Sequence, residues 1–198
     1  RVELFGLLSS PISEALADNG IYRYQAIHIT ESILVYLKAS FVAAILLTAP
    51  FTFYQGWAFV SPGLLNKERH FLIPVTFFTV VFFLIGSAFA YQVILPFITD
   101  WLVKLTLEGG QADVMVTLQN AFSTSLVFLV MFGLVFELPL VIFFLSLFGI
   151  VTWKGLSGFF RYFVVLSFIV SAMLTPPDPI SQVLMALPLN VLYLFGIL

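Results

Sequence analysis

Trp57-Ala58-Phe59-Val60-Ser61-Pro62-Gly63-Leu64-Leu65-Asn66-Lys67-Glu68-Arg69-His70 separates two long apolar runs and holds, from Lys67 to His70, the densest group of ionisable residues in the chain. Pro62-Gly63 stops a helix arriving from the left. Pro74 is compatible with a new helix that begins just before it. The stretch reads as a short loop between two membrane helices, either plain or carrying a small recognition surface.

Composition supports the membrane reading. Of 198 residues, 61% are hydrophobic and only 9% are charged, against about 25% charged in a soluble domain. So few charges cannot cover a soluble surface, which makes this an integral membrane protein. Cysteine is absent, which excludes disulfides, thiolate catalysis and cysteine metal sites. Arg1-Val2-Glu3-Leu4-Phe5-Gly6 lacks the basic lead and long apolar core of a signal peptide, and reads as the middle of a longer protein.

Five spans are predicted: about 33–54, 71–95, 122–148, 159–174 and 181–198, all within one integral membrane domain covering 1–198. Residues 1–32 are more polar. They read as two short amphipathic helices on the membrane surface, with Asn19-Gly20 as a turn. Glu31 and Lys38 share a face of the first span, and Lys38 is placed to snorkel back to that surface. Gly86 and Ala90, with Ala88 between them, form a small-residue patch suited to close helix contact. Tyr91-Gln92 and Pro96 mark the exit of the second span. The third is longer than the bilayer needs, so tilt or a kink is expected. Residues 149–160 are predicted to be a loop with Trp153, Lys154 and Gly155, and Thr175-Pro176-Pro177-Asp178-Pro179 is a break.

Orientation follows from the bases. Lys67, Arg69, Lys154 and Arg161 fall in the loops at 56–70 and 149–162, where Glu68 is the only acid. The positive-inside rule puts these loops in the cytoplasm or its topological equivalent. Arg1 then lies outside and Leu198 inside, and a further span before Arg1 would restore a cytoplasmic N-terminus.

Glu137 is the strongest chemical anomaly. A carboxylate at mid-helix in lipid costs roughly 2.5–3.5 kcal/mol on insertion scales. Its side chain should face protein or a water-filled cavity. It is either a buried carboxyl hydrogen-bonded to a neighbouring hydroxyl or glutamine, or a functional acid. Pro139, two residues on, removes a backbone donor and leaves the Val135 carbonyl without its usual partner. Glu68 is either a solvated partner of Lys67 or Arg69, or a receptor for a guanidinium, with Phe59 and Trp57 as nearby apolar contacts. Asp178 is positioned to cap the last helix. There is no nucleotide-binding glycine loop ending in Gly-Lys-Ser or Gly-Lys-Thr, and no Gly-x-Ser-x-Gly elbow. His28 and Glu31 supply two ligands, too few for a metal site. No basic stripe suits nucleic acid.

An ordered set of motifs runs along the chain. Ser10-Pro11, Thr30-Glu31 with Lys38, and Ala49-Pro50 come first. Tyr54-Gln55-x-Trp57-Ala58-Phe59-Val60 and Pro62-Gly63-Leu64 with Glu68-Arg69 follow, then Gly86-x-x-Phe89-Ala90-Tyr91 with Pro96. Phe136-Glu137-Leu138-Pro139, Arg161-Tyr162 and Thr175-Pro176-Pro177-Asp178 with Ser181-Gln182 complete it. In this the chain resembles the TatC family, the multi-spanning core of the twin-arginine protein translocase, over essentially its whole length. The resemblance implies an all-α, glove-like concave bundle of six membrane helices, of which this chain holds spans two to six. It implies that Glu68, Phe59, Lys67 and Arg69 form the cytoplasmic patch for twin-arginine signal peptides, and that Glu137 lies in the concave intramembrane face. Thr175, Gln182 and Asp178 would meet partner helices of the TatA and TatB type. The implied setting is the bacterial inner membrane or the thylakoid, with transport of folded cargo driven by proton-motive force and no cofactor or covalent chemistry. The chain departs from the family's pattern in its weakly basic second cytoplasmic loop and in Tyr193-Leu194, where an acid often follows the tyrosine. The alternative reading is a proton-coupled small-solute transporter using Glu137, and a third is a membrane scaffold in which Glu137 only stabilises packing.

Overall fold

The computed structural model describes residues 10, 12–14, 16, 17, 30–60, 72–108, 117–147, 149–175 and 179–197. Its helices are α1 (Glu31–Val60), α2 (Leu72–Phe89), α3 (Leu95–Glu108), α4 (Leu118–Phe136), α5 (Leu138–Leu147), α6 (Trp153–Leu174) and α7 (Pro179–Ile197), with a π-helical turn over Ala90–Ile94. α2 runs through the π turn into α3, and α4 runs into α5. The described residues thus contain 5 helical stretches long and apolar enough to cross a membrane. The all-α polytopic class expected from the sequence is the class observed.

Several predicted boundaries shift. The first span does not end at 54: α1 carries Pro50 inside it and continues to Val60. Nor does the second leave the helix at Pro96. A π turn widens the backbone just before that proline, with the Leu95 N–H reaching the Ala90 carbonyl, where an ordinary α-turn would press the ring onto the Gln92 carbonyl. The continuous stretch Ile73–Leu105 has 33 residues, about 50 Å of helix against a hydrocarbon thickness of about 30 Å. Toward its far end, in α3, the Lys104 ammonium bonds the Asp100 carboxylate at 2.6 Å.

The kink expected in the third span falls at Glu137, between α4 and α5. Most of the predicted loop at 149–160 is helix. Gly149, with φ of 70°, supplies the left-handed turn after α5. The Thr152 side chain then accepts from the Gly155 N–H at 3.3 Å and caps α6. Trp153, Lys154 and Gly155 thus form the first helical turn.

α2 packs along α4, α1 lies against both, α6 pairs with α7, and α7 also packs on α5. The α2–α4 crossing is close because two glycines allow it. A Cβ on Gly86 would run into the Phe132 carbonyl, and one on Gly133 would sit 2.6 Å from the Phe83 ring. Ala90, as predicted, is buried at this contact beside Phe132 and Leu129. Ala88 is exposed, because two residues of helix turn a side chain to the opposite side.

Lys38 has a specific partner. Its ammonium crosses to α4 and donates to the Ser123 hydroxyl at 2.8 Å. Of residues 1–32, those described before Thr30 pack on the protein. Ile12 and Leu16 are buried with Val103 of α3, next to Ala121, and the Ser10 and Tyr91 hydroxyls lie 2.8 Å apart. An apolar face is left open across α4. Between α1 and α4 lies a cavity of about 390 Å³ that includes Lys38, Val42 and Met131. A second, of about 270 Å³, lies between α4 and α6 and shares Met131.

Candidate functional site

Glu137 sits where the backbone breaks. Its N–H donates to the Leu134 carbonyl at 3.1 Å, a tightened turn, and the Val141 N–H resumes the helix by donating to the Glu137 carbonyl at 2.9 Å. Pro139 brings no N–H, so the α-helical bond that would have ended on Val135 is missing. The side chain is 7% exposed. Its carboxyl lies beside the Thr79 hydroxyl and the Phe83 backbone, both on α2. Oε1 is buried and has no partner among the described residues.

Thr79 has a second contact. The indole N–H of Trp57, near the end of α1, donates to its hydroxyl oxygen at 3.0 Å. The Trp57 ring packs on Phe144 of α5 with centroids 4.8 Å apart. Three helical stretches therefore meet at one polar chain, Trp57 to Thr79 to Glu137, inside an otherwise apolar junction. The acid faces protein, and its hydroxyl partner is the kind the sequence reading named. Which hydroxyl it would be had no signal in the sequence, and neither had the role of the Trp57 N–H.

Of the remaining predicted residues, the described ones, Phe59, Thr175 and Gln182, make other contacts than with Glu137. Phe59 is in the last turn of α1 and is 87% exposed. Lys67, Glu68, Arg69 and Asp178 lie outside the described residues. Thr175 is buried at the end of α6, its hydroxyl donating to the Ser171 carbonyl at 2.9 Å. Gln182 donates from Nε2 to the Phe168 carbonyl at 3.0 Å and clips α7 to α6. These two belong to a polar seam that sequence reasoning missed. In it Ser167 and Ser171 are buried, and the Asn190 amide donates to the Ser167 hydroxyl at 2.9 Å and to the Ala186 carbonyl at 2.8 Å. Small hydroxyl residues on one side of α6 were the available signal. No three histidine, aspartate or glutamate side chains gather in a metal-binding group among the described residues.

A long helical bundle with apolar outer faces, one acid held by protein at a helix break, and a hydrogen-bonded terminal hairpin defines a polytopic membrane protein. The comparisons with known proteins give the family. The model of TatC, the Sec-independent protein translocase protein, matches residues 1–188. The chain is 41% identical over 168 residues to the TatC protein of Helicobacter pylori strain 26695, a match covering 85% of this chain and 66% of that one. It is 38% identical to TatC of Halothiobacillus neapolitanus, covering 100% of this chain and 53% of that one. Its fold matches a crystal structure of the twin-arginine translocase receptor TatC in DDM with TM-score 0.88 and 30% identity, covering 98% of this chain and 85% of that one. The chain belongs to the TatC family. It spans about half to two thirds of the length of these two relatives.

Proposed function

We propose that this chain is the receptor and scaffold part of a twin-arginine export system. It binds twin-arginine signal peptides of folded cargo on its cytoplasmic side, recruits single-span partners of the TatA and TatB type, and works on proton-motive force without catalysing a covalent reaction. The reading is carried by the fold match at TM-score 0.88 to a protein described as the twin-arginine translocase receptor. Glu68, flanked by Lys67 and Arg69, is the carboxylate that would pair with an arginine of the peptide, since a carboxylate accepts a guanidinium bidentately. Phe59 supplies an exposed apolar contact one loop away. Glu137 serves the intramembrane part of the peptide or a partner helix, and Thr175, Gln182 and Asp178 the partner-binding end of the α6–α7 hairpin. A bacterial inner membrane is the expected location.

Crosslinking a twin-arginine peptide to the full-length protein tests the reading. Glu68→Ala should remove most of the crosslink, and equal crosslinking by both forms would overturn the assignment. The solute-carrier alternative is less well supported, because the Glu137 carboxyl is buried against α2. It would be revived by solute uptake into proteoliposomes that Glu137→Gln abolishes.

A further inference from the structure

The Trp57 end of the Trp57–Thr79–Glu137 chain has a fixed direction. An indole is a donor only, and a threonine hydroxyl has a single proton. Trp57 donates to the Thr79 oxygen at 3.0 Å. That occupies a lone pair of the hydroxyl and turns its proton away from the indole, toward the neighbouring Glu137 carboxyl. Without the indole, the hydroxyl has an alternative close by. A helical threonine readily turns its proton back to the carbonyl one turn earlier, as Thr48 does toward Ala44 at 2.7 Å and Thr52 toward Thr48 at 3.0 Å. The indole thus biases a two-position rotor. Thr79 is 2% exposed, so solvent does not compete for that proton.

Trp57 is also the residue of this junction placed to feel the cytoplasmic side. It lies three residues before the end of α1 at Val60, directly ahead of the charged stretch at 61–70. Its ring lies against Phe144, on the helix that Glu137 begins. A small rotation of the end of α1 would move the indole relative to both Thr79 and α5.

We propose that Trp57 and Thr79 are positioning residues forming a latch, which holds the Glu137 carboxyl against α2 and releases it when the cytoplasmic end of α1 moves. The release half rests on the receptor reading above, while the holding half stands on the contacts alone. When latched, the carboxyl is turned into the junction. When unlatched, it keeps only the Phe83 backbone contact and is available to a group entering from the membrane.

The experiment uses the full-length protein in membranes. Glu137 is labelled with dicyclohexylcarbodiimide, a membrane-permeant carboxyl reagent, and the labelling rate is read by mass spectrometry. Trp57→Phe, which keeps a ring and loses the N–H, and Thr79→Val, which keeps the shape and loses the hydroxyl, should each raise the rate roughly five-fold, the scale of one net hydrogen bond. Thr79→Ser should restore the slow rate, which a packing defect would not do. Unchanged labelling in both Trp57→Phe and Thr79→Val would overturn the latch. A second arm adds a twin-arginine peptide to wild type and scores its crosslink in the same sample. Labelling should rise with the peptide, and should not rise further in Thr79→Val. A peptide that crosslinks without changing Glu137 labelling would overturn the release step. A peptide that fails to crosslink would instead count against the receptor reading, with the first arm still deciding the holding step.

Discussion

α2 and α4 meet at two glycines, with a hydrogen bond from Ser87 to the Leu129 carbonyl at 3.0 Å, whereas α6 and α7 meet at a seam of several hydrogen bonds. In lipid, helices gain little from burying apolar surface on one another, and association rests on close packing and polar contacts. The α2–α4 pair takes mainly the first route: Gly86 and Gly133 leave no room for a side chain, and Phe83, Phe132 and Phe136 fill the space beside them. The α6–α7 pair takes the second, through Gln182 to Phe168 and Asn190 to Ser167, with Tyr193 stacked on Phe163 at 4.2 Å. The glycine-packed pair fixes the register of Thr79 against Glu137 and can hold a buried acid. The hydrogen-bonded hairpin stands on its own seam, and its polar groups can be exchanged one at a time.

Substitutions should separate the two regions by size of effect, as measured from thermal unfolding in detergent. Gly133→Leu is expected to cost the most, about 3 kcal/mol, because the added atoms must displace the Phe83 ring in a full core. Protein of wild-type stability would mean that α2 and α4 do not cross this closely. Asn190→Leu should cost about 1 kcal/mol through two lost hydrogen bonds. The Ser167 hydroxyl keeps its own bond to the Val164 carbonyl at 2.8 Å, so no orphaned donor adds to the loss. Tyr193→Phe removes the bond to the Leu156 carbonyl and leaves the stacked ring, for about 0.6 kcal/mol, the average for side-chain hydrogen bonds between membrane helices. A loss as large as that of Gly133→Leu would move Tyr193 from the seam to the core. Asp100→Asn breaks a pair with side chains 38% and 55% exposed and should change stability by less than about 0.5 kcal/mol.

The spans and the lone acid were legible in the sequence because each is a local property. A run of apolar residues marks a helix, and Glu137 stands out in one. Helix ends were less legible. Pro96 reads as a stop, yet a π turn before it carries the helix on, and nothing local distinguishes the two. The partner of Glu137 was not legible at all. α2 offers Thr76, Thr79 and Ser87, and only the register set by Gly86 and Gly133 against distant aromatics decides that Thr79 faces the acid. Lys38 shows the same limit, since its partner Ser123 lies on another helix. The family motifs were readable in order along the chain, and the comparisons bear out that membership.

The claim on which the functional reading rests most heavily is that Glu137 serves export rather than packing. The most direct measurement is transport of a folded twin-arginine cargo by full-length protein carrying Glu137→Gln, which preserves shape and an acceptor for Thr79 while removing the acid. We predict loss of transport with signal-peptide crosslinking at the cytoplasmic patch retained. Transport at the wild-type rate would contradict it and leave Glu137 a structural residue.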